Sequence, residues 1–116
     1  MDNDLKSIIG KIIAFRDARD WAQYHDPKNL SMALSIEAAE IQEIFLWKTR
    51  QDSRELSEAG IERVSEEIAD VFIYLTYLCH EFKIDLLEAT RKKIEKNGEK
   101  YPVQTSKGSN RKYNEL

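Results

Sequence analysis

With 116 residues, 41 % apolar and 34 % charged side chains, the chain is sized for one small domain with a modest core. A net charge of −3 argues against a general nucleic-acid binder, and no run of about 18 consecutive apolar residues exists to span a membrane. Four glycines and two prolines leave little material for a turn-rich β fold, and the lone Cys79 excludes an internal disulfide, so the expected class is all-α.

The N-terminus, MDNDLKSIIGKI, starts acidic and lacks a signal-peptide pattern, which reads as a cytoplasmic chain. Leu5, Ile8, Ile9, Ile12 and Ile13 follow the spacing of an amphipathic helix, expected to end near Asp20. WAQYHDPKN (21–29) reads as a loop whose Asp26-Pro27 pair starts the next helix, since proline suits the first helical position. That second helix is expected over 28–48. TRQDSRELSEAG (49–60) is a polar connector with room for a helical turn, and a third helix is expected over 61–82. Asp85 with Glu88 resembles a capping box for a fourth helix, expected to stop at Asn97-Gly98, and Pro102 blocks a restart.

Residues 1–102 thus form the expected helical domain, and 103–116 a polar, basic tail to be ordered by a ligand or a neighbouring subunit. From 91 to 116, eight Lys/Arg face three acids, so the first ninety residues carry a net −8. An acidic body with a basic end suits a metal at one place and phosphate at another, although a solvated charged tail has the same composition. The third helix, IADVFIYLTYLC over 68–79, is apolar nearly all round, and a helix of that kind has to be buried on all sides. Four helices from one chain struggle to surround it, which predicts a homo-oligomer.

Two glutamates interrupt the second helix in SIEAAEIQEIF (35–45). With Glu37 at 0° on a helical wheel, Leu30, Leu34, Ile41 and Ile44 fall at about 20°, 60°, 40° and 340°, and Glu40 at about 300°. On the third helix, with Asp70 at 0°, Glu67 lies at about 60°, beside Tyr74 at about 40°, Tyr77 at about 340° and Leu78 at about 80°. Two pairs of acids, each three residues apart, therefore border apolar surfaces. Burying one unpaired carboxylate costs several kcal/mol, and only Lys48 is at hand on these faces to offset four. A divalent cation is the better partner, and oxygen-only ligands suit Mg²⁺ or its substitute Mn²⁺. Glu43, Glu58, Glu62 and Glu66 read as ordinary solvated acids. A di-iron carboxylate bundle would need Glu-x-x-His pairs, and neither His25 nor His80 lies three residues after a glutamate.

EAAE at 37–40 followed by EIAD at 67–70 resembles the signature of the all-α, MazG-like nucleoside triphosphate pyrophosphohydrolases. FRDARDWAQYHDPKNLSMALSIEAAEIQEIFLWK (15–48), EEIADVFIYLTYL (66–78), KIEKNGEKYP (93–102) and SNRKYNEL (109–116) are similar, in order, to segments of its dCTP pyrophosphatase branch. The resemblance implies a four-helix bundle completed by oligomerisation, as a dimer or a dimer of dimers (a homotetramer). It implies Mg²⁺-dependent hydrolysis of a (deoxy)nucleoside triphosphate, dCTP or a modified dCTP, to the monophosphate and pyrophosphate, a house-cleaning role. Glu37, Glu40, Glu67 and Asp70 would then hold the metal, with Glu40 as the expected general base. Tyr74, Lys93 and Asn97 would meet phosphates or sugar, Trp21 and Trp47 would flank the base, and His25 would touch base or sugar. Tyr101, Arg111, Lys112 and Tyr113 would close over the triphosphate, in their own or a neighbouring subunit. The alternative is a non-catalytic helical oligomerisation or nucleotide-binding module, which would tolerate Glu37→Gln or Asp70→Asn.

Overall fold

The computed structural model describes residues 2–116, and among them no strand is formed. Four long helices carry the chain, as expected: α1 (Asp2–Ala18), α2 (Pro27–Phe45), α4 (Glu58–Phe82) and α5 (Leu86–Lys100). Two short helices, α3 (Arg50–Arg54) and α6 (Val103–Ser106), lie in the connector and the C-terminal segment. The segment read as a loop after α1 forms a 3-10 turn at Trp21–Tyr24, and a second such turn covers Tyr113–Glu115.

Side-chain caps explain where the helices start. Asp26 Oδ1 accepts from the Asn29 N–H at 2.8 Å, with Pro27 at the first helical position. Thr49 caps α3 through the Asp52 N–H at 3.1 Å, and Asp85 caps α5 through the Glu88 N–H at 3.1 Å. Ser57 Oγ accepts from the Gly60 N–H at 3.1 Å. That cap starts α4 at Glu58, three residues before the expected 61, and places Gly60 in the first turn.

α1 stops at Ala18, near Asp20 as expected, and Asp20 has a φ of 53° in the left-handed region. Two other helix ends depart from expectation. α2 stops at Phe45 and not at 48, because Trp47 turns left-handed with φ 68°. α5 does not stop at Asn97-Gly98. It continues through both to Lys100, where the Tyr101 N–H donates to the Asn97 carbonyl at 2.8 Å. The terminator is Pro102, which disfavours helical backbone at the residue before it.

The chain divides into two compact units, one ending at Lys83 and the other covering Ile84–Leu116. In the first, α2 packs lengthwise on α4, and α1 leans on α4. Leu30, 1 % exposed, anchors a core with Ile12 and Tyr77, against which Ile13, Phe72, Ile73, Tyr74 and Leu78 pack. A single chain does not cover α4, since Ile61 and Ile68 are more than half exposed. Cys79 is half-buried, and burial pushes its thiol pKa up, which fits a core thiol. No described helix is long and apolar enough to cross a membrane.

Candidate metal centre

The inward stripe of α2 runs Leu30, Ala33, Leu34, Glu37, Glu40, Ile41, Ile44, and every one of these positions is at least half-buried. On α4 the stripe includes Val64, Glu67, Val71, Tyr74 and Leu78, with Asp70 beside it. The four acids thus occupy places that helical periodicity reserves for core side chains. Glu43, Glu58, Glu62 and Glu66 are exposed, as expected of solvated acids.

Because α2 and α4 pack along each other, the two pairs meet. Carboxylate oxygens of Glu37, Glu67 and Asp70 lie within 4.8 Å of one another. Glu40 is not in that tight group, but it lies close enough for its charge to act on both Glu37 and Glu67. Among the described residues no lysine or arginine pairs with any of the four.

Burial, then the hydrogen bond and charge of Glu40, pushes the pKa of Glu37 up from its ordinary 4.5 to about 7. The Glu40 contact and burial raise that of Glu67 as well. One oxygen on each, Oε2 of Glu37 and of Glu67, is buried with no donor facing it. Carboxylates this close repel one another when ionised, and a cation between them would relieve that repulsion. Opposite ligand oxygens on one Mg²⁺ stand roughly 4 Å apart, so the group is within a small side-chain adjustment of holding one. Orphaned buried oxygens, an all-oxygen donor set and no competing cation all fit a divalent ion.

The aromatic residues expected to serve the substrate are placed unevenly. Tyr74 lies close enough to the acids for Glu37, Asp70 and Glu40 to raise its phenol pKa, after burial as the first cause. His25 packs on Tyr77 with ring centres 4.7 Å apart and the rings tilted by 44°, and it approaches Tyr74 at 6.5 Å. Its Nδ1 is buried without a hydrogen-bond partner, and burial, then the Arg16 charge, lowers its pKa. Trp21 packs edge-on against Phe15 at 5.8 Å, with the Arg19 guanidinium 3.5 Å above the Phe15 ring. Trp47 is 92 % exposed, and among the described residues it makes no ring contact with Trp21.

Within the second unit, Lys93 and Asn97 stand one turn apart on the exposed surface of α5. Tyr101 and Tyr113 form an edge-to-face pair at 6.1 Å, and Lys100 Nζ lies 4.9 Å from the Tyr113 ring. The Arg111 N–H donates to Ser109 Oγ at 3.2 Å, and the Lys112 N–H to Glu115 Oε2 at 3.4 Å.

Two residues near the site received no role from the sequence, although Tyr77 falls on the same helical face as Asp70. Arg16 is 6 % exposed, its guanidinium bound to Asp17 Oδ1 at 2.9 and 3.0 Å and placed 5.9 Å from the Tyr77 ring centre. Its spacing four after Ile12 was the available signal. Tyr77 is 4 % exposed, and its hydroxyl donates to the Ile12 carbonyl at 3.3 Å.

Comparison with known proteins places these features in a family. Residues 32–116 match the model of the MazG-like family, a span that includes both carboxylate pairs. Over 104 residues the chain is 39 % identical to dCTP pyrophosphatase 1 of Homo sapiens and 38 % identical to that of Bos taurus, covering 88 % of this chain in each case. Those alignments take in 61 % and 62 % of the relatives, so the chain spans about three fifths of their length. The crystal structure of a pyrophosphatase from Archaeoglobus fulgidus is similar with a TM-score of 0.81 and 44 % identity, over 85 % of this chain and 93 % of that one.

Proposed function

We propose that this chain, which belongs to the MazG-like family, hydrolyses nucleoside triphosphates between the α and β phosphates, releasing the monophosphate and pyrophosphate. The observation that carries the reading is the convergence of Glu37, Glu67 and Asp70 within 4.8 Å, with two buried oxygens left unpartnered. The names of the relatives support the reaction and point to dCTP, or a modified dCTP, as substrate.

Glu37, Glu67 and Asp70, together with Glu40 beside them, would hold Mg²⁺, or Mn²⁺ as a substitute. A cation held there would neutralise phosphate charge, polarise the phosphorus centre and make water more acidic. In this reading Glu40, at the edge of the group and outside its tight centre, takes the proton of the attacking water. Tyr74 meets phosphate or sugar, His25 meets base or sugar, and Trp21 and Trp47 offer faces on which any base stacks. Lys93 and Asn97 serve phosphates or sugar, and Tyr101, Arg111, Lys112 and Tyr113 close over the triphosphate from the same or a neighbouring subunit. In this reading residues 1–102 are the pyrophosphohydrolase domain and 103–116 its basic tail. The uncovered apolar surface of α4 favours a homodimer or a dimer of dimers. The setting is cytoplasmic house-cleaning of nucleotide pools, without nucleic-acid or membrane partners.

The test is pyrophosphate release from a panel of dNTPs and NTPs, with Mg²⁺ and with EDTA. Cation-dependent release with a monophosphate product is expected, strongest for a cytosine deoxynucleotide. Silence on the whole panel would leave the binding-module alternative standing.

A further inference from the structure

The 3-10 turn at Trp21–Tyr24 is short and exposed, yet it carries or adjoins two side chains assigned to the nucleoside. A turn of that kind has little rigidity of its own. It is held from three sides. Trp21 leans on Phe15 of α1, and Asn29 Nδ2 of α2 donates to the Tyr24 carbonyl at 3.1 Å. From α4, the Tyr77 ring underlies His25 at 4.7 Å.

Tyr77 does more than touch the turn. Its hydroxyl binds the Ile12 carbonyl, Arg16 lies over its ring, and Tyr74 meets it edge-to-face at 6.1 Å. It therefore ties α1 and the turn to one point of α4. That point stands seven residues beyond Asp70 on the same continuous helix, about 10 Å along its axis. A rigid helix thus sets the spacing between the carboxylates and the turn.

We infer that Tyr77 is a positioning residue for the nucleoside: by seating His25 against α4 it fixes the turn bearing Trp21 at a set distance from the acidic group. The inference rests on the proposed reading of that group as the phosphate end of the site. It assigns Tyr77 to substrate affinity and not to the chemical step, which the four acids govern.

The test compares Tyr77→Phe, which removes only the hydroxyl, with Tyr77→Leu, which also removes the ring. Steady-state hydrolysis of dCTP is measured alongside Mn²⁺ affinity by titration. In a Trp47→Phe background, Trp21 is the one tryptophan left, and acrylamide quenching of its fluorescence reports the turn. Tyr77→Leu is expected to raise KM about tenfold and Tyr77→Phe about threefold, with kcat and Mn²⁺ affinity within about twofold and quenching of Trp21 increased. Should Tyr77→Leu fail to fold, the Tyr77→Phe split between KM and kcat decides alone. An unchanged KM in a folded variant overturns the inference, as does a fall in kcat that tracks a loss of Mn²⁺ affinity. A wild-type chain inert on every nucleotide strikes the proposed reaction, and this inference with it. Turnover with an unaltered KM in the variants strikes this inference alone.

Discussion

Two polar clusters pack against α4, each partly buried, and they are finished to different degrees. At one, Arg16 brings a cation into the core, but Asp17 balances it and the Tyr77 ring lies beside it. At the other, Glu37, Glu67 and Asp70 from α2 and α4 meet, with Glu40 beside them and no basic partner among the described residues, and one oxygen each of Glu37 and Glu67 faces nothing that can donate. The first cluster is complete within the chain. The second is complete only with something from outside, and an unmet electrostatic need in a core is a stronger sign of a site than a charge alone.

The largest expected effect breaks that contrast at its unfinished side. Asp70→Asn or Glu37→Gln should lower kcat/KM for dCTP by about 10³-fold, consistent with losing several kcal/mol of charge stabilisation. The same substitutions relieve repulsion, so without metal Glu37→Gln should raise the melting temperature by about 3–6 °C. Calorimetry in EDTA and an initial-rate assay in Mg²⁺ check the two halves. Retained activity in both variants would defeat the assignment of the acids.

At the finished side the sign reverses. Arg16→Met removes a stacked, ion-paired cation and leaves Asp17, which is largely exposed, without stranding a buried charge. The loss should be about 1–2 kcal/mol of stability by urea unfolding, mostly from packing and ring contact. A stabilised Arg16→Met variant would mean that the two clusters do not differ as described.

A smaller effect sharpens the comparison through pH. The folded-state pKa of Glu37 is raised, from 4.5 to about 7, so its contribution to stability is fully present below about 4.5 and is lost as pH rises through about 7. The metal-free protein should therefore melt progressively lower between these values, and saturating Mg²⁺ should flatten the trend. Binding the ion should also release protons near pH 6 and none well above pH 8, measurable by titration in two buffers of different ionisation enthalpy. The smallest effect is at a helix start, outside the charged groups of both clusters. Asp26→Ala deletes the cap of α2 and should cost about 1 kcal/mol by thermal unfolding.

The sequence disclosed the acids well, for a physical reason. A glutamate at a core position contradicts the local pattern, and contradictions of that sort are visible without coordinates. Asp26, Pro27 and Asp85 were legible because a cap is a short-range device. Gly98 misled because the left-handed stop it can adopt competes with ordinary helical backbone, and Pro102 four residues later decided the outcome. Arg16 drew no assignment from the sequence, and only the fold reveals that Tyr77, far along the chain, arrives beside it. The meeting of the two acid pairs also depended on how α2 packs against α4, which no local spacing encodes.

Trp47 remains instructive for what it would do in a large mutant library. A left-handed backbone costs an ordinary residue roughly 1–2 kcal/mol, and glycine escapes that penalty. With its ring 92 % exposed, Trp47 returns little packing in the single chain. Sorting such a library for folded protein alone should therefore enrich glycine and asparagine at position 47. Sorting the same library for turnover should keep the aromatic ring, so the divergence between the two enrichment profiles would mark a position where stability has been conceded to activity.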